Sequence, residues 1–197
     1  AFETLVADTM GASGRLDYLF NNAGIGVGGF FEDHSLEDWR YIVDVNLMGV
    51  IHGTHAAYPR MCEQGFGHIV NTASMAGRVG TPGLSAYAAT KHAVVGITRS
   101  LRTEAAGRGV RVSAFCPGVI RTEILNDGGV FGKFALPGEP QNLGEAHPVT
   151  VGVVEGRELF LKITPKHAKF GVQGFRTSKL VIAPNAFALL LEQSHFA

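Results

Sequence analysis

Long apolar segments are missing from this sequence. No run of about 18 hydrophobic residues occurs, so we expect no membrane-spanning helix. A net charge of either sign is missing as well, because 17 basic residues balance 17 acidic ones. Without an excess of positive charge there is no electrostatic reason to expect nucleic acid or an anionic membrane as a partner.

Cysteine is scarce, and the clusters that bind metals are missing. Cys62 and Cys116 are too few for a disulfide framework, and we interpret them as small buried side chains of a cytoplasmic protein. His52 and His55 are three residues apart in a segment with helical spacing, but no carboxylate or third histidine joins them. We therefore expect no metal site.

The apolar pattern indicates strands that alternate with helices. Three short apolar runs are typical of buried strands, namely residues 16–20 (LDYLF), 68–73 (HIVNTA) and 110–115 (VRVSAF). Helical spacing runs from Leu36 to about Cys62, after an N-cap at Ser35 with Asp38 three residues on, and again over residues 85 to about 106. Buried strands that alternate with helices predict an α/β fold with a parallel sheet.

The two ends of the chain carry weaker patterns. Residues 1–10 look like the latter half of an amphipathic helix. Beyond residue 126 glycine and proline mark a long loop, with strands expected at 158–163 and 179–183 and a short helix at 186–193.

Tyr87 and Lys91 form a Y-x-x-x-K pattern on the second long helix. Residues four apart lie on one face, so the phenol and the ammonium can share a site. A positive charge at about 4 Å, with an effective dielectric near 20, contributes about 4 kcal/mol, which is enough to lower a phenol pKa from about 10 toward 7. The pattern alone is weak, because a half-buried tyrosine beside a solvated lysine gives the same letters.

Three strands deliver further polar or glycine-bearing segments to one edge of the predicted sheet. Ser74 follows the second strand, 13 residues before Tyr87, while Asn21 follows the first strand and Pro117 and Gly118 follow the third. Ligands of open α/β sheets bind at the carboxyl ends of the strands. This edge is therefore the predicted site.

Together these segments carry a resemblance to a known family. The order and spacing of NNAG (21–24), Ser74, YAATK (87–91) and PGVIRT (117–122) are similar to those of the short-chain dehydrogenases/reductases, over about residues 16–124. The resemblance implies a Rossmann-like doubly wound parallel sheet and one dinucleotide-binding and catalytic domain over residues 1–197. It also implies an oxidoreductase that transfers hydride between NAD or NADP and a carbonyl or secondary alcohol.

Roles follow from the resemblance position by position. Ser74 would stabilise the substrate oxygen, and Tyr87 would give or take its proton. Lys91 would lower the tyrosine pKa and hold the nicotinamide ribose. Asn46 would hold a water that links Lys91 to solvent, although it could instead simply kink its helix.

The resemblance also implies residues that contact the cofactor. Asn21, Ala23 and Gly24 would line its adenosine side, where glycine allows a close backbone approach. At the nicotinamide end the implied residues are Tyr87, Lys91, Pro117, Gly118, Ile120 and Thr122, of which the last two would hold the carboxamide. Asp17 would brace the strand and the cofactor pocket, or merely cap a turn.

A second glycine pattern and the start of the chain need a separate interpretation. Residues 24–29 match G-x-G-x-x-G, but residues 30–34 separate them from the next helix, so no helix N-terminus would meet a pyrophosphate. The family's phosphate-binding glycine loop lies well before the NNAG segment, and only 20 residues precede Asn21. We therefore expect an N-terminally incomplete domain.

Several alternatives stay open at this point. Met, Leu and Phe around the predicted pocket (Ser74, Met75, residues 80–84 and the segment after Thr122) suggest an apolar alcohol or ketone as substrate.

Residues 125–197 are expected to form a substrate-binding loop, with an aromatic-rich lid at 130–136, and a divergent C-terminal part. The two long helices favour a homodimer or homotetramer. A catalytically inactive binding module or truncated fragment is the main competing interpretation, and an epimerase or dehydratase of the extended branch is the third.

Overall fold

The structure is a computed structural model that describes residues 1–118 and six later strands. The helices of the described part are Phe2–Ser13 (α1), Leu36–Val43 (α2), Gly49–Gln64 (α3) and Ser85–Glu104 (α4). Its strands are Tyr18–Asn21 (β1), Gly26–Val27 (β2), Gly67–Thr72 (β3), Val110–Phe115 (β4), Val130–Phe131 (β5), Val149–Val154 (β6), Arg157–Thr164 (β7), His167–Val172 (β8), Ser178–Ile182 (β9) and Ala188–Gln193 (β10). The predicted helices and strands up to residue 115 are confirmed, with shifts of a few residues at their ends.

The main sheet has the strand order β4-β3-β1-β10-β9. Strands β1, β3 and β4 are parallel, with Leu19 opposite Ile69 and Ile69 opposite Val112. Every residue of β1 is buried, as an apolar run without polar alternation predicts for a strand covered on both faces. The carboxyl ends of these three strands form the edge to which the sequence assigned the site.

The prediction of a short helix at residues 186–193 is wrong, because residues 188–193 form strand β10. This strand pairs antiparallel with β1, and β9 in turn pairs antiparallel with β10, so the sheet is mixed. A short apolar run such as ALLLEQ fits a helix or a strand equally well. The strand is favoured because the backbone N–H and C=O groups along the open edge of β1 need hydrogen-bond partners, which β10 supplies.

The described residues also form two smaller sheets. Strand β2 pairs in parallel with β5, and β6, β7 and β8 form an antiparallel sheet of three strands. The strands expected at 158–163 and 179–183 are confirmed as β7 and β9, whereas β6 and β8 were not expected. The extent of the domain, given above as residues 1–197, stays a prediction.

Local signals set the boundaries of the helical stretch from Leu36 to Gln64. The Ser35 hydroxyl accepts from the Asp38 amide at 3.2 Å, and the Asp38 carboxylate accepts from the Ser35 amide at 2.9 Å, which confirms the capping box. Between α2 and α3 the turn widens into a π-helical segment, Asp44–Met48. The stretch stops at Gly65, whose φ of 79° is easy only for glycine.

The long helices pack their apolar residues on the sheet. Ala57 and Met61 of α3 lie in one core cluster with Leu19, Ile69 and Val112. Val94 and Val95 of α4 lie in a second cluster, and Val95 is only 7% exposed. The surface of α4 that remains exposed carries other residues, namely Ser85, Ala89, His92, Gly96, Arg99, Ser100, Arg102, Thr103 and Glu104. In the described residues, no helix combines the length and the apolarity that a bilayer crossing demands.

Candidate active site

Ser74 lies just beyond the carboxyl end of β3, held there by backbone bonds to the end of β4. The Ala73 amide donates to the Phe115 carbonyl at 2.7 Å, and the Met75 amide donates to the Pro117 carbonyl at 2.9 Å. The Ser74 hydroxyl accepts from the Ala76 amide at 3.2 Å and so caps a short 3-10 turn. These bonds fix the position of the hydroxyl relative to the two strand ends.

Helix α4 brings Tyr87 and Lys91 to the same edge. The Lys91 ammonium lies 5.6 Å from the centroid of the Tyr87 ring and donates to the Thr72 carbonyl, the last of β3, at 2.9 Å. Gly77 lets the loop after Ser74 approach this helix, since a Cβ there would lie 2.5 Å from the Lys91 carbonyl oxygen. The serine, tyrosine and lysine named from the sequence are therefore gathered around the end of one strand.

Burial dominates the protonation of these groups. It raises the pKa of the Tyr87 phenol, and a hydrogen bond with Ser74 lowers that pKa only in part. Burial also lowers the pKa of the Lys91 ammonium to about 8, against a smaller opposing effect of Cys116. The net direction for the phenol is opposite to the sequence-based expectation. At neutral pH Tyr87 is a protonated donor beside a mostly charged lysine.

Asn46 lies in the π-helical segment and is fully buried. Its Oδ1 accepts from the Ile25 amide at 2.8 Å, and its Nδ2 donates to the Ile25 carbonyl at 2.9 Å. Nδ2 also lies 3.3 Å from the Thr90 hydroxyl of α4. Asn46 thus lies where the regular helix is interrupted and ties that segment to the loop after β1. Its role in holding a water beside Lys91 stays a prediction.

Gly24 lies close to Asn46 and Lys91, in the loop after β1. A Cβ at this position would lie 3.1 Å from Asn46 Oδ1 and 3.2 Å from Lys91 Nζ. Ala23 and Pro117 are half-buried, and Gly118 is exposed at the end of β4. A bare, partly accessible backbone beside a lysine ammonium fits a sugar-phosphate cofactor that must approach the main chain closely.

Asn21 does not reach this surface with its side chain. The amide is 2% exposed and donates to Asn71 Oδ1 at 2.8 Å and to the Thr54 hydroxyl at 3.1 Å. The side chain therefore joins β1 to β3 and to α3, and the contact of Asn21 with the cofactor stays a prediction. Asp17 lies before the amino end of β1, the opposite end of the strand from the site, where it pairs with Arg15 at 2.5 Å.

Other expected residues lie outside the described part of the chain. Ile120, Thr122 and most of the expected lid at 130–136 are not among the described residues. Sequence reasoning missed Thr90 and the backbone groups of Thr72 and Ile25. Only Thr90 left a signal, a hydroxyl directly before the lysine of the Y-x-x-x-K pattern. Backbone contacts leave none, because every residue carries the same amide and carbonyl.

The two helical histidines make no metal site within the described residues. His52 stacks on Phe2 of α1, with ring centroids 6.2 Å apart. No group of three or more histidine, cysteine, aspartate or glutamate side chains in that part of the chain could hold an ion.

Comparisons with known proteins agree with this geometry. Residues 1–128 match the sequence profile of the family described as short chain dehydrogenase. Cyclohexanol dehydrogenase of Acinetobacter sp. (strain SE19) is 42% identical over 113 residues, which are 57% of this chain and 45% of that enzyme. The chain spans about half the length of the curated relatives it matches.

Solved structures extend the likeness to three dimensions. A short-chain dehydrogenase/reductase from Burkholderia phymatum in complex with NAD is 38% identical, with a TM-score of 0.61 over 71% of this chain and 52% of that one. The structure of ElxO with NADP bound is 33% identical, with a TM-score of 0.60 over 62% of this chain and 50% of that one. These likenesses confirm the predicted Rossmann-like α/β fold.

Proposed function

The chain belongs to the short-chain dehydrogenase family, and on that premise we propose that the protein is an NAD(P)-dependent oxidoreductase with Tyr87 as its proton-transfer group. Its reaction is the interconversion of a carbonyl compound and a secondary alcohol. The observation that carries the proposal is the convergence of Ser74, Tyr87 and Lys91 at the carboxyl end of β3.

Each of the three side chains has its own role in the reduction of a carbonyl substrate. The Ser74 hydroxyl donates a hydrogen bond to the substrate oxygen as negative charge develops there. Tyr87 transfers its phenolic proton to that oxygen, and the Lys91 ammonium stabilises the phenolate that remains. The nicotinamide, when bound, supplies the hydride. In oxidation the phenolate removes the alcohol proton, and the same charge on Lys91 favours that form.

We assign cofactor binding to the described residues at this edge of the sheet, namely Ala23, Gly24, Tyr87, Lys91, Pro117 and Gly118. The close positions of Asn46 Oδ1 and Lys91 Nζ around Gly24 support this assignment. Either NAD or NADP is accommodated, as the NAD complex and the NADP complex among the structural relatives suggest. Ile120 and Thr122 are proposed to contact the carboxamide, on family resemblance alone.

An apolar alcohol or ketone is the proposed substrate. Met75 directly follows Ser74 and is 45% exposed, and Val79, four residues further, is 54% exposed. Exposed apolar side chains beside a polar reacting group favour a substrate with a hydrocarbon body. The likeness to a cyclohexanol dehydrogenase points in the same direction.

A homodimer or homotetramer is proposed as well, through the long helices that the sequence suggested. Because Val95 lies in the core, we assign the contact on α4 to its exposed side, which carries Ala89, His92, Gly96 and Arg99. Small side chains there let two helices approach closely.

Replacing Tyr87 with phenylalanine tests the proposed chemistry, because it removes only the transferable proton. We expect kcat for cyclohexanol oxidation to fall at least about 100-fold, since general acid–base catalysis contributes about that much. Affinity for NADH or NADPH, measured by fluorescence titration, should change less than about threefold. A Tyr87→Phe enzyme that keeps its activity would exclude Tyr87 as the proton-transfer group. Cofactor binding without turnover in the unmodified protein would instead favour an inactive binding module.

A further inference from the structure

Thr90 occupies a buried position between Tyr87 and Asn46. It lies on α4 directly before Lys91 and is 1% exposed. Its hydroxyl donates to the Tyr87 carbonyl at 2.8 Å and lies 3.3 Å from Asn46 Nδ2, which donates to it. One hydroxyl thus bonds the backbone of the tyrosine and the side chain of the asparagine.

Asn46 depends on this contact for its connection to α4. Its oxygen accepts from Ile25, and one of its two amide hydrogens goes to the Ile25 carbonyl. The second amide hydrogen is donated to the Thr90 hydroxyl. Among the described residues, this is the hydrogen bond that links Asn46 to α4. If that hydroxyl were lost, a buried N–H would have no acceptor, which favours rotation or displacement of the amide.

We propose that Thr90 is a positioning residue that acts through Asn46. Its hydroxyl fixes the Asn46 amide, and the amide fixes the Ile25 backbone and with it the loop that carries Gly24 beside Lys91. Thr90 touches neither substrate nor cofactor in this role. The catalytic consequence rests on the proposed function, whereas the effect on the loop does not.

The same helix contains a matched position that separates positioning from ordinary helix stability. Two turns beyond Thr90, Thr98 is also fully buried, donates to the Val94 carbonyl at 2.7 Å and accepts from Asn71 Nδ2 at 3.0 Å. A threonine hydroxyl that bonds back to its own helix is common. The two threonines differ in their asparagine, because Asn71 bonds the Asn21 side chain inside the sheet, whereas Asn46 bonds the Ile25 backbone directly after Gly24.

Amide hydrogen exchange tests the positioning directly. In Thr90→Val, which keeps the shape of the side chain, the Ile25 amide should exchange at least about tenfold faster, measured by NMR relative to the amides of β3 in the same variant. In Thr98→Val and in Thr90→Ser that ratio should stay within about threefold of the parent protein. Unchanged exchange of Ile25 in Thr90→Val, or equal acceleration in Thr98→Val, would refute the proposal.

Kinetics test the catalytic consequence, with cyclohexanol and NAD or NADP as the probe. Thr90→Val should lower kcat at least about tenfold while KM for cyclohexanol changes less than about threefold, because the contact orients groups rather than binding substrate. Thr90→Ser should restore kcat to within about threefold, and Thr98→Val should leave it unchanged. Equal loss in the two valine variants, or no rescue by serine, would refute the catalytic part. A Tyr87→Phe enzyme that stays active would refute the proposed function and leave the exchange result standing.

Discussion

Gly24 and Lys91 are in close contact in the folded protein although they are 67 positions apart in the sequence. A side chain on Gly24 would begin 3.2 Å from the Lys91 ammonium nitrogen. It would also begin 3.1 Å from Asn46 Oδ1, so a methyl group would fit between the loop after β1 and the helix that carries the lysine only if a neighbour moved by a few tenths of an ångström. This contact favours glycine at that position of the NNAG segment, for a reason that concerns packing rather than a positive φ.

Substituting alanine for Gly24 should therefore impair catalysis more than folding. The added Cβ pushes against the ammonium and the amide, and displacing either disturbs the groups around Tyr87. We expect kcat/KM for cyclohexanol to fall at least about tenfold, which corresponds to about 1.4 kcal/mol of transition-state free energy.

Gly11→Ala is the matched control for that substitution. Gly11 is exposed on α1 with nothing within 4 Å of an added Cβ, so alanine there should stabilise the protein by about 0.5–1 kcal/mol. Its activity should equal that of the parent protein. Full activity in Gly24→Ala would show that the loop yields easily and that the contact has no catalytic importance.

Lys91→Met should shift the pH profile of alcohol oxidation to higher pH. Burial raises the pKa of Tyr87. The Lys91 ammonium, 5.6 Å from the centroid of the Tyr87 ring, favours the phenolate, so without its charge the pKa of the phenol should be higher still. The rise of kcat with pH should therefore begin at higher pH than in the parent enzyme, as stopped-flow measurements of NADH formation can show.

Lys91→Arg provides the comparison, because arginine keeps the charge and loses only the compact ammonium. Its profile should stay within about half a unit of the parent profile even where kcat is reduced. A methionine variant with an unshifted profile would mean that the lysine charge is not coupled to the phenol.

His68 should make the protein sensitive to acid. Burial lowers its pKa to about 4, with smaller contributions from Arg111 and Arg102, and its Nε2 lies 2.9 Å from the Ser113 hydroxyl. Since the unfolded chain binds a proton near pH 6.5 and the folded protein only near pH 4, the stabilisation is complete above pH 6.5. It is lost as the pH falls toward 4, up to about 3 kcal/mol.

Urea unfolding at several pH values between 4 and 7.5 measures this contribution. His68→Gln keeps a polar partner for Ser113 but does not titrate, so its free energy of unfolding should change less steeply between pH 6.5 and 4. Equal slopes for the two proteins would mean that the pKa of His68 is the same in the folded and the unfolded protein.

A charged substitution on the exposed side of α4 should dissociate the proposed oligomer. Gly96→Glu introduces a charge where nothing lies within 4 Å, so the subunit should stay folded while light scattering shows a smaller particle. Val95→Glu should instead unfold the subunit, because Val95 is 7% exposed within a core cluster. A parent protein that is monomeric at micromolar concentration would end the proposal.

Patterns among neighbouring residues in the sequence determined three strands, the start of one helix and the pairing of Tyr87 with Lys91. The three strands at 16–20, 68–73 and 110–115 were predictable because buried parallel strands require continuous apolar runs. The start of α2 was predictable because Ser35 and Asp38 cap each other within one turn. The Y-x-x-x-K spacing placed Tyr87 and Lys91 together, since residues four apart always share a helix face.

Only the tertiary structure decided what depends on partners far apart in the chain. The open edge of β1 turned residues 188–193 into a strand, and Asn71, 50 positions from Asn21, withdrew that side chain into the interior. Burial raised the pKa of Tyr87 where the nearby lysine alone predicts a decrease. The physical reason is common to all three. Apolar runs, caps and helical spacing act between neighbours in the sequence, whereas desolvation and the pairing of buried polar groups depend on every segment that packs around them.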